Sequence, residues 1–174
     1  SGAHFNPAVT LVMRLRGEID TSKALVYVVV QIVAACAGVV LAHAMFALPL
    51  IQAGEHVRRG GAQWLSEGWA TFGLLLTILV GSRHRPAAIP ALVASYIFAA
   101  YWFTASTSFA NPAVTLARSL TQTFAGIRRM DVAGFVLAQM VGALLAHVVV
   151  DVLMPRRSDA THQVDPNPVR MGNP

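Results

Sequence analysis

The chain has 174 residues, room for one domain; 55% of them are hydrophobic and 12% charged, about half the usual charged share. That balance excludes a disordered chain and an ordinary soluble fold. The net charge of +5 does not mark a nucleic-acid partner, because the 13 Lys and Arg stand at the ends of apolar runs instead of forming one patch.

Three stretches carry no Asp, Glu, Lys or Arg: 31 residues between Lys23 and Glu55, 32 between Arg85 and Arg118, and 19 between Asp131 and Asp151. Each matches or exceeds the roughly 20 residues that cross a bilayer as a helix. In chain order, Asn6 followed by Pro7 opens a short helix over 7–16, since Asn caps helices well and Pro suits the first helical position. A first span is predicted over 24–48, closed by Pro49, and a loop over 51–63 with the pair Gly60 and Gly61. A second span over 64–80 contains one acid, Glu67. A basic turn over 81–85 leads to a third span over 87–104, entered through Pro86 and Pro90. Asn111 and Pro112 open a second short helix, ending near Phe124, and a fourth span covers 131–154. Residues 155–174 read as a polar, solvated tail, with too little apolar surface to order itself. Its Asn167-Pro168-Val169 has no apolar helix after it and is discounted. The single cysteine, Cys36, allows neither a disulfide framework nor a cysteine metal site.

The informative feature is a repeat. Asn6-Pro7-Ala8-Val9-Thr10-Leu11 recurs unchanged as Asn111-Pro112-Ala113-Val114-Thr115-Leu116, 105 residues later, and Gln31 recurs as Gln139 in the following span, 108 residues later. Two spans precede the second copy, with 47 residues back to Trp64, whereas 5 residues precede Asn6. By symmetry two further spans are expected ahead of Ser1. Three spans per unit is an odd number, so the units enter the membrane with opposite orientations, an all-α inverted repeat.

Each short helix spans about 15 to 20 Å, half a bilayer. A helix that starts in an apolar context and stops halfway is re-entrant, and its irregular backbone is tolerated where it lines a water-filled cavity. In an inverted pair the two N-termini meet at the midplane. Their positive dipole ends repel cations there, while the asparagine amides offer N–H groups to the oxygen of a neutral solute.

The paired Asn-Pro-Ala motifs, the lead-in Gly2-Ala3-His4-Phe5, Glu67 with Thr71 and Phe72, and the glutamine-bearing spans resemble the aquaporin, or major intrinsic protein, family. The resemblance covers residues 1 to about 154. It implies six spans plus two half-helices, one pore per subunit, a homotetramer in the cell's plasma or inner membrane, and passive passage of water, glycerol-like polyols or neutral metalloids such as arsenous acid. No chemistry and no cofactor are implied. The lipid bilayer and small neutral solutes are the partners, and a secondary active transporter built on inverted repeats is the alternative.

By the same resemblance Asn6, Pro7, Ala8, Asn111, Pro112 and Ala113 form the pore centre, and Glu67 sits behind the second re-entrant loop, accepting its backbone N–H groups. His4 stands either at the cytoplasmic pore mouth or in a purely structural loop position. His43 and His147 read as packing residues. Gly38, Gly73, Gly134 and Gly142 read as close helix contacts. The outer filter departs from the family. Val114 stands where most members have arginine, with Ser108 in the loop and Ala99 or Ala100 on the preceding span, which leaves a wider, uncharged constriction. Arg118, one turn later, leans back toward that level. Eight basic residues (Arg14, Arg16, Lys23, Arg83, Arg85, Arg156, Arg157, Arg170) fall on one side and five (Arg58, Arg59, Arg118, Arg128, Arg129) on the other, which puts the tail in the cytoplasm.

Overall fold

A computed structural model describes residues 2–155. Arg156, Arg157, Arg170 and the tail expected to be solvated therefore lie outside the described residues. Six helices follow in order: α1 (Pro7–Leu15), α2 (Thr21–Met45), α3 (Gly61–His84), α4 (Ile89–Phe103), α5 (Pro112–Arg118) and α6 (Val132–Leu153). Single 3-10 turns, Pro86–Ala88 and Arg129–Asp131, lead into α4 and α6. Counting those turns, four segments of 25, 24, 18 and 25 residues are long and apolar enough to cross a membrane. The other two, α1 and α5, are half-helices of 9 and 7 residues.

Both half-helices start in the same way. Asn6 and Asn111 have extended backbones, and their side-chain oxygens accept the N–H of Ala8 at 2.9 Å and of Ala113 at 3.0 Å. Their ends differ. In α1 the chain turns out through Gly17, at φ +73, with Gly17 N–H on Arg14 O and Glu18 N–H on Met13 O, the paired bonds that close a helix on a left-handed glycine. No glycine follows α5, which was expected to run to about Phe124. It stops at Arg118 because the carbonyls of Ser119 and Leu120, which would continue the helix, accept the N–H groups of Gly54 and Gln52 instead.

The core lies where α1, α3 and α6 meet, with Val9, Val12 and Met13 against Leu74, Leu75 and Leu79 and against Ala143, Ala146 and Val150. The α3–α6 crossing is the tightest. A side chain at Gly142 would overlap the carbonyl oxygen of Gly68 there, and at the neighbouring α3–α4 contact one at Gly73 would overlap the Tyr96 hydroxyl group. Gly134 lies against the Trp64 indole, but Gly38, expected to be a packing position, has open space around it. α2 and α4 bury few of their side chains; Leu25, Val26, Val29 and Val33 all turn outward. Outward apolar faces of this kind suit a lipid environment or neighbouring helices.

The two glycines give opposite expectations. Gly142→Ala forces α3 and α6 apart at a backbone carbonyl and is expected to cost about 1–3 kcal/mol. Gly38→Ala meets nothing and removes a glycine from a helix interior, so it is expected to leave stability unchanged or raise it by up to about 1 kcal/mol. Thermal unfolding in detergent micelles separates the two.

Candidate functional site

The site is the meeting point of the two half-helices. Asn6 Nδ2 donates to Ala110 O at 2.8 Å, and Asn111 Nδ2 donates to Phe5 O at 2.9 Å. Each asparagine therefore caps its own helix with its oxygen and ties the residue before the other motif with its nitrogen. One N–H of each amide is used in this exchange and a second remains. Asn6 is buried and Asn111 half-buried, while Pro7, Ala8, Pro112 and Ala113 are buried around them.

The loops that deliver the asparagines repeat one backbone pattern. Gly2, Ala3 and Phe5 have φ of +73, +44 and +49, and Thr107, Ser108 and Ala110, each 105 positions later, have φ of +63, +48 and +47. Left-handed backbone at non-glycine residues costs on the order of 1–3 kcal/mol each and persists where surrounding contacts hold it. For the second loop that holder is Glu67. It is fully buried; Oε1 accepts Phe109 N–H at 2.8 Å, and Oε2 accepts Ala110 N–H at 2.9 Å and Gln139 Nε2 at 2.7 Å. The same Gln139 nitrogen donates to Thr115 Oγ1 at 2.8 Å. In the first repeat Gln31 Nε2 donates to Thr10 Oγ1 at 3.0 Å, and His4 Nδ1 lies 3.1 Å from that hydroxyl. His4 is half-buried against the Tyr27 ring, with the ring centroids 5.3 Å apart.

The residues expected to form the filter differ in exposure. Val114 is half-buried, and Ser108 is buried with its hydroxyl unpaired among the described residues. Of the two alanines on α4, Ala100 is fully buried, its carbonyl accepting the Thr104 hydroxyl, and Ala99 is exposed. Arg118 reaches the loop, its Cζ lying 4.2 Å from the centroid of the Phe109 ring.

A residue with no sequence signal completes this end of the molecule. Arg58, assigned from sequence to an outer loop, is 5% exposed. Its guanidinium donates to Gly126 O at 2.9 Å, Ser106 O at 3.0 Å and Phe124 O at 2.9 Å, and its Cζ lies 4.9 Å from the Phe109 centroid. Burial and then the charge of Arg118 press its pKa below the ordinary arginine value, while Glu67 works the other way. Arginine stays protonated through such shifts. The segment before α3 reaches this position by lacing along residues 119–128, with Arg128 N–H on His56 O and Gln122 bonded to both Gln52 and Glu55.

The opposite end is held ionically. Arg16, at the close of α1, pairs with Asp151 at 2.6 Å and Glu18 at 3.0 Å, and Arg83 and His147 lie 3.9 and 3.3 Å from Asp151. α6, 22 residues and roughly 33 Å long, separates Asp151 from the Arg58 end. His43 bridges Leu50 O and Thr121 Oγ1 at 2.9 and 2.8 Å, a satisfied buried histidine.

Four apolar segments enclosing two half-helices joined at their N-termini define an all-helical integral membrane protein with a re-entrant centre. The family model for the major intrinsic proteins matches residues 1–100, and the chain belongs to that family, whose members are channels and not enzymes. It is 58% identical over 146 residues to the aquaglyceroporin AqpS of Rhizobium meliloti (strain 1021), an overlap of 84% of this chain and 63% of that protein. The chain thus spans less than two thirds of the length of the curated relative it matches.

Glu67→Gln tests the clamp. An amide offers one oxygen and a pair of N–H groups, so one of the buried N–H groups of Phe109 and Ala110 loses its acceptor. That is expected to cost about 1–3 kcal/mol in thermal unfolding and to speed amide exchange at those two residues.

Proposed function

We propose that this chain carries the conducting path of a membrane channel that passes small neutral solutes passively, with the half-helix junction as its midpoint. The observation that carries the proposal is the exchange of Asn6 and Asn111 bonds. It turns two positive dipole ends toward one point and leaves amide N–H groups for a solute oxygen. A cation there is repelled, and a polyol or an undissociated hydroxide is accepted.

Solutes larger than water, such as glycerol or neutral metalloid hydroxides, are the preferred cargo. Val114, Ser108 and Ala99 make a wider outer wall than an arginine would, and kinship with an aquaglyceroporin supports the same choice. His4 would stand at the inner mouth. Alternating access coupled to an ion is disfavoured, since both oxygens of Glu67, the acid in the middle of the protein, are taken by N–H donors and Asp151, near the end of α6, is paired with Arg16. A homotetramer in the plasma or inner membrane, with the Arg16 and Asp151 end and the tail in the cytoplasm, completes the proposal.

Three measurements test it. In proteoliposomes of the full-length protein, glycerol flux is expected to be linear in its gradient, indifferent to proton and sodium gradients, and electrically silent. Accumulation against a gradient would make it a transporter. Val114→Arg combined with Arg118→Ala, which avoids two guanidinium groups four residues apart on one helical face, is expected to lower glycerol permeability far more than water permeability in stopped-flow light scattering. An unchanged ratio would remove Val114 from the filter. A cysteine at Gly60 in a Cys36→Ala background is expected to react with an impermeant thiol reagent on intact cells, whereas labelling of a tail cysteine instead would invert the orientation.

A further inference from the structure

The channel proposed above has no arginine at residue 114, yet two arginines converge on the loop beside it. Arg58 and Arg118 approach the Phe109 ring with Cζ to centroid distances of 4.9 and 4.2 Å. Phe109 lies between Ser108, the loop's filter residue, and Ala110, whose carbonyl receives Asn6. Neither guanidinium is in ion-pair contact with a carboxylate among the described residues. The Arg58 side chain spends its N–H groups on the carbonyls of Ser106, Phe124 and Gly126, which are dipoles, while its backbone N–H takes Asp131 Oδ2, a carboxylate already paired with Arg128. Arg58 and Arg118 thus set two positive charges beside the loop against the one buried carboxylate of Glu67. Around a buried cation the effective dielectric is lower than in water, so its field reaches farther than that of an exposed loop arginine.

We propose that Arg58, with Arg118, is the fixed positive charge that excludes cations at the outer mouth of this pore, supplied from the segment before α3 because Val114 carries none. The proposal rests on the channel reading. It separates two properties that a filter arginine combines: the passage at Val114 stays wide, while the charge stands one layer behind the loop wall. A wide pore of this kind passes bulky neutral solutes and still rejects protons and potassium ions. Arg58 also has a positioning part, since its fork ties Ser106 to Phe124 and Gly126 and so holds the strained backbone at Thr107 and Ser108.

The test compares three variants of the full-length protein in proteoliposomes, reading potassium and proton conductance beside glycerol flux. Arg118→Glu sets a carboxylate across Phe109 from Arg58, cancelling its charge while every Arg58 hydrogen bond is retained. The ratio of cation conductance to glycerol flux is expected to rise about tenfold or more. Arg58→Gln is expected to leak similarly, and Arg58→Lys, which keeps the charge but loses the fork, to exclude cations nearly as the parent does. If both charge-cancelling variants still exclude cations, or if Arg58→Lys leaks as much as Arg58→Gln, the proposal is overturned and Arg58 is a loop tie alone. Should the Arg58 variants fail to fold, Arg118→Glu decides by itself. A parent protein that passes neither water, glycerol nor a neutral metalloid hydroxide would instead sink the channel reading, a result distinguishable from either.

Discussion

Everything in this molecule is arranged around a backbone problem in the middle of a membrane. Two helices end there, each leaving N–H groups that lipid cannot satisfy. One residue type at one position in each repeat solves it twice over. The asparagine oxygen caps its own helix, and the asparagine nitrogen takes the carbonyl ahead of the other cap. Because the exchange is reciprocal, neither half-helix can be placed without its partner, and the left-handed residues Phe5 and Ala110 are fixed as acceptors by the same two bonds.

Outward from that junction, each layer holds the one inside it. Thr10 and Thr115 stand one turn into the half-helices and are held by Gln31 and Gln139 from the long helices. Glu67, whose burial as a free carboxylate would be costly, is stabilised by three donors and in return fixes the carbonyl-bearing loop. The close α3–α6 crossing at Gly68 and Gly142 sets the distance between Glu67 and Gln139. At the two ends the solutions diverge. Arg16 is neutralised by Asp151 and Glu18, whereas the Arg58 guanidinium is held by carbonyls beside the filter loop and makes no ion pair among the described residues.

Much of this was legible in the sequence. The duplicated six residues predict two helix starts, the apolar stretches predict the four long helices to within a few residues, and the odd number of spans per unit predicts that the half-helices oppose each other. Membrane burial makes such patterns reliable, because a span must be apolar along its whole length and a break in it needs a cap. What was hidden is whatever depends on contacts between distant segments. The early end of α5 is set by Gln52 and Gly54, more than 60 positions away, against a local sequence that would continue the helix. Arg58 sits among exposed loop residues and is buried only because that segment folds along 119–128. Ala99 and Ala100 are indistinguishable as letters, and their facing appears only once α4 is packed.

The central claim is that the two asparagine bonds act as one interlock. A double-mutant cycle on Asn6→Ala and Asn111→Ala, read by reversible unfolding in mixed micelles, addresses it directly. Each replacement removes a cap and one cross-tie, and the loss of either loosens the junction on which the other depends. The interlock predicts a coupling of about 0.5–3 kcal/mol between the two sites, so that the second replacement costs clearly less than it does alone. Strictly additive losses would contradict it, leaving two independent helix caps that happen to lie close together.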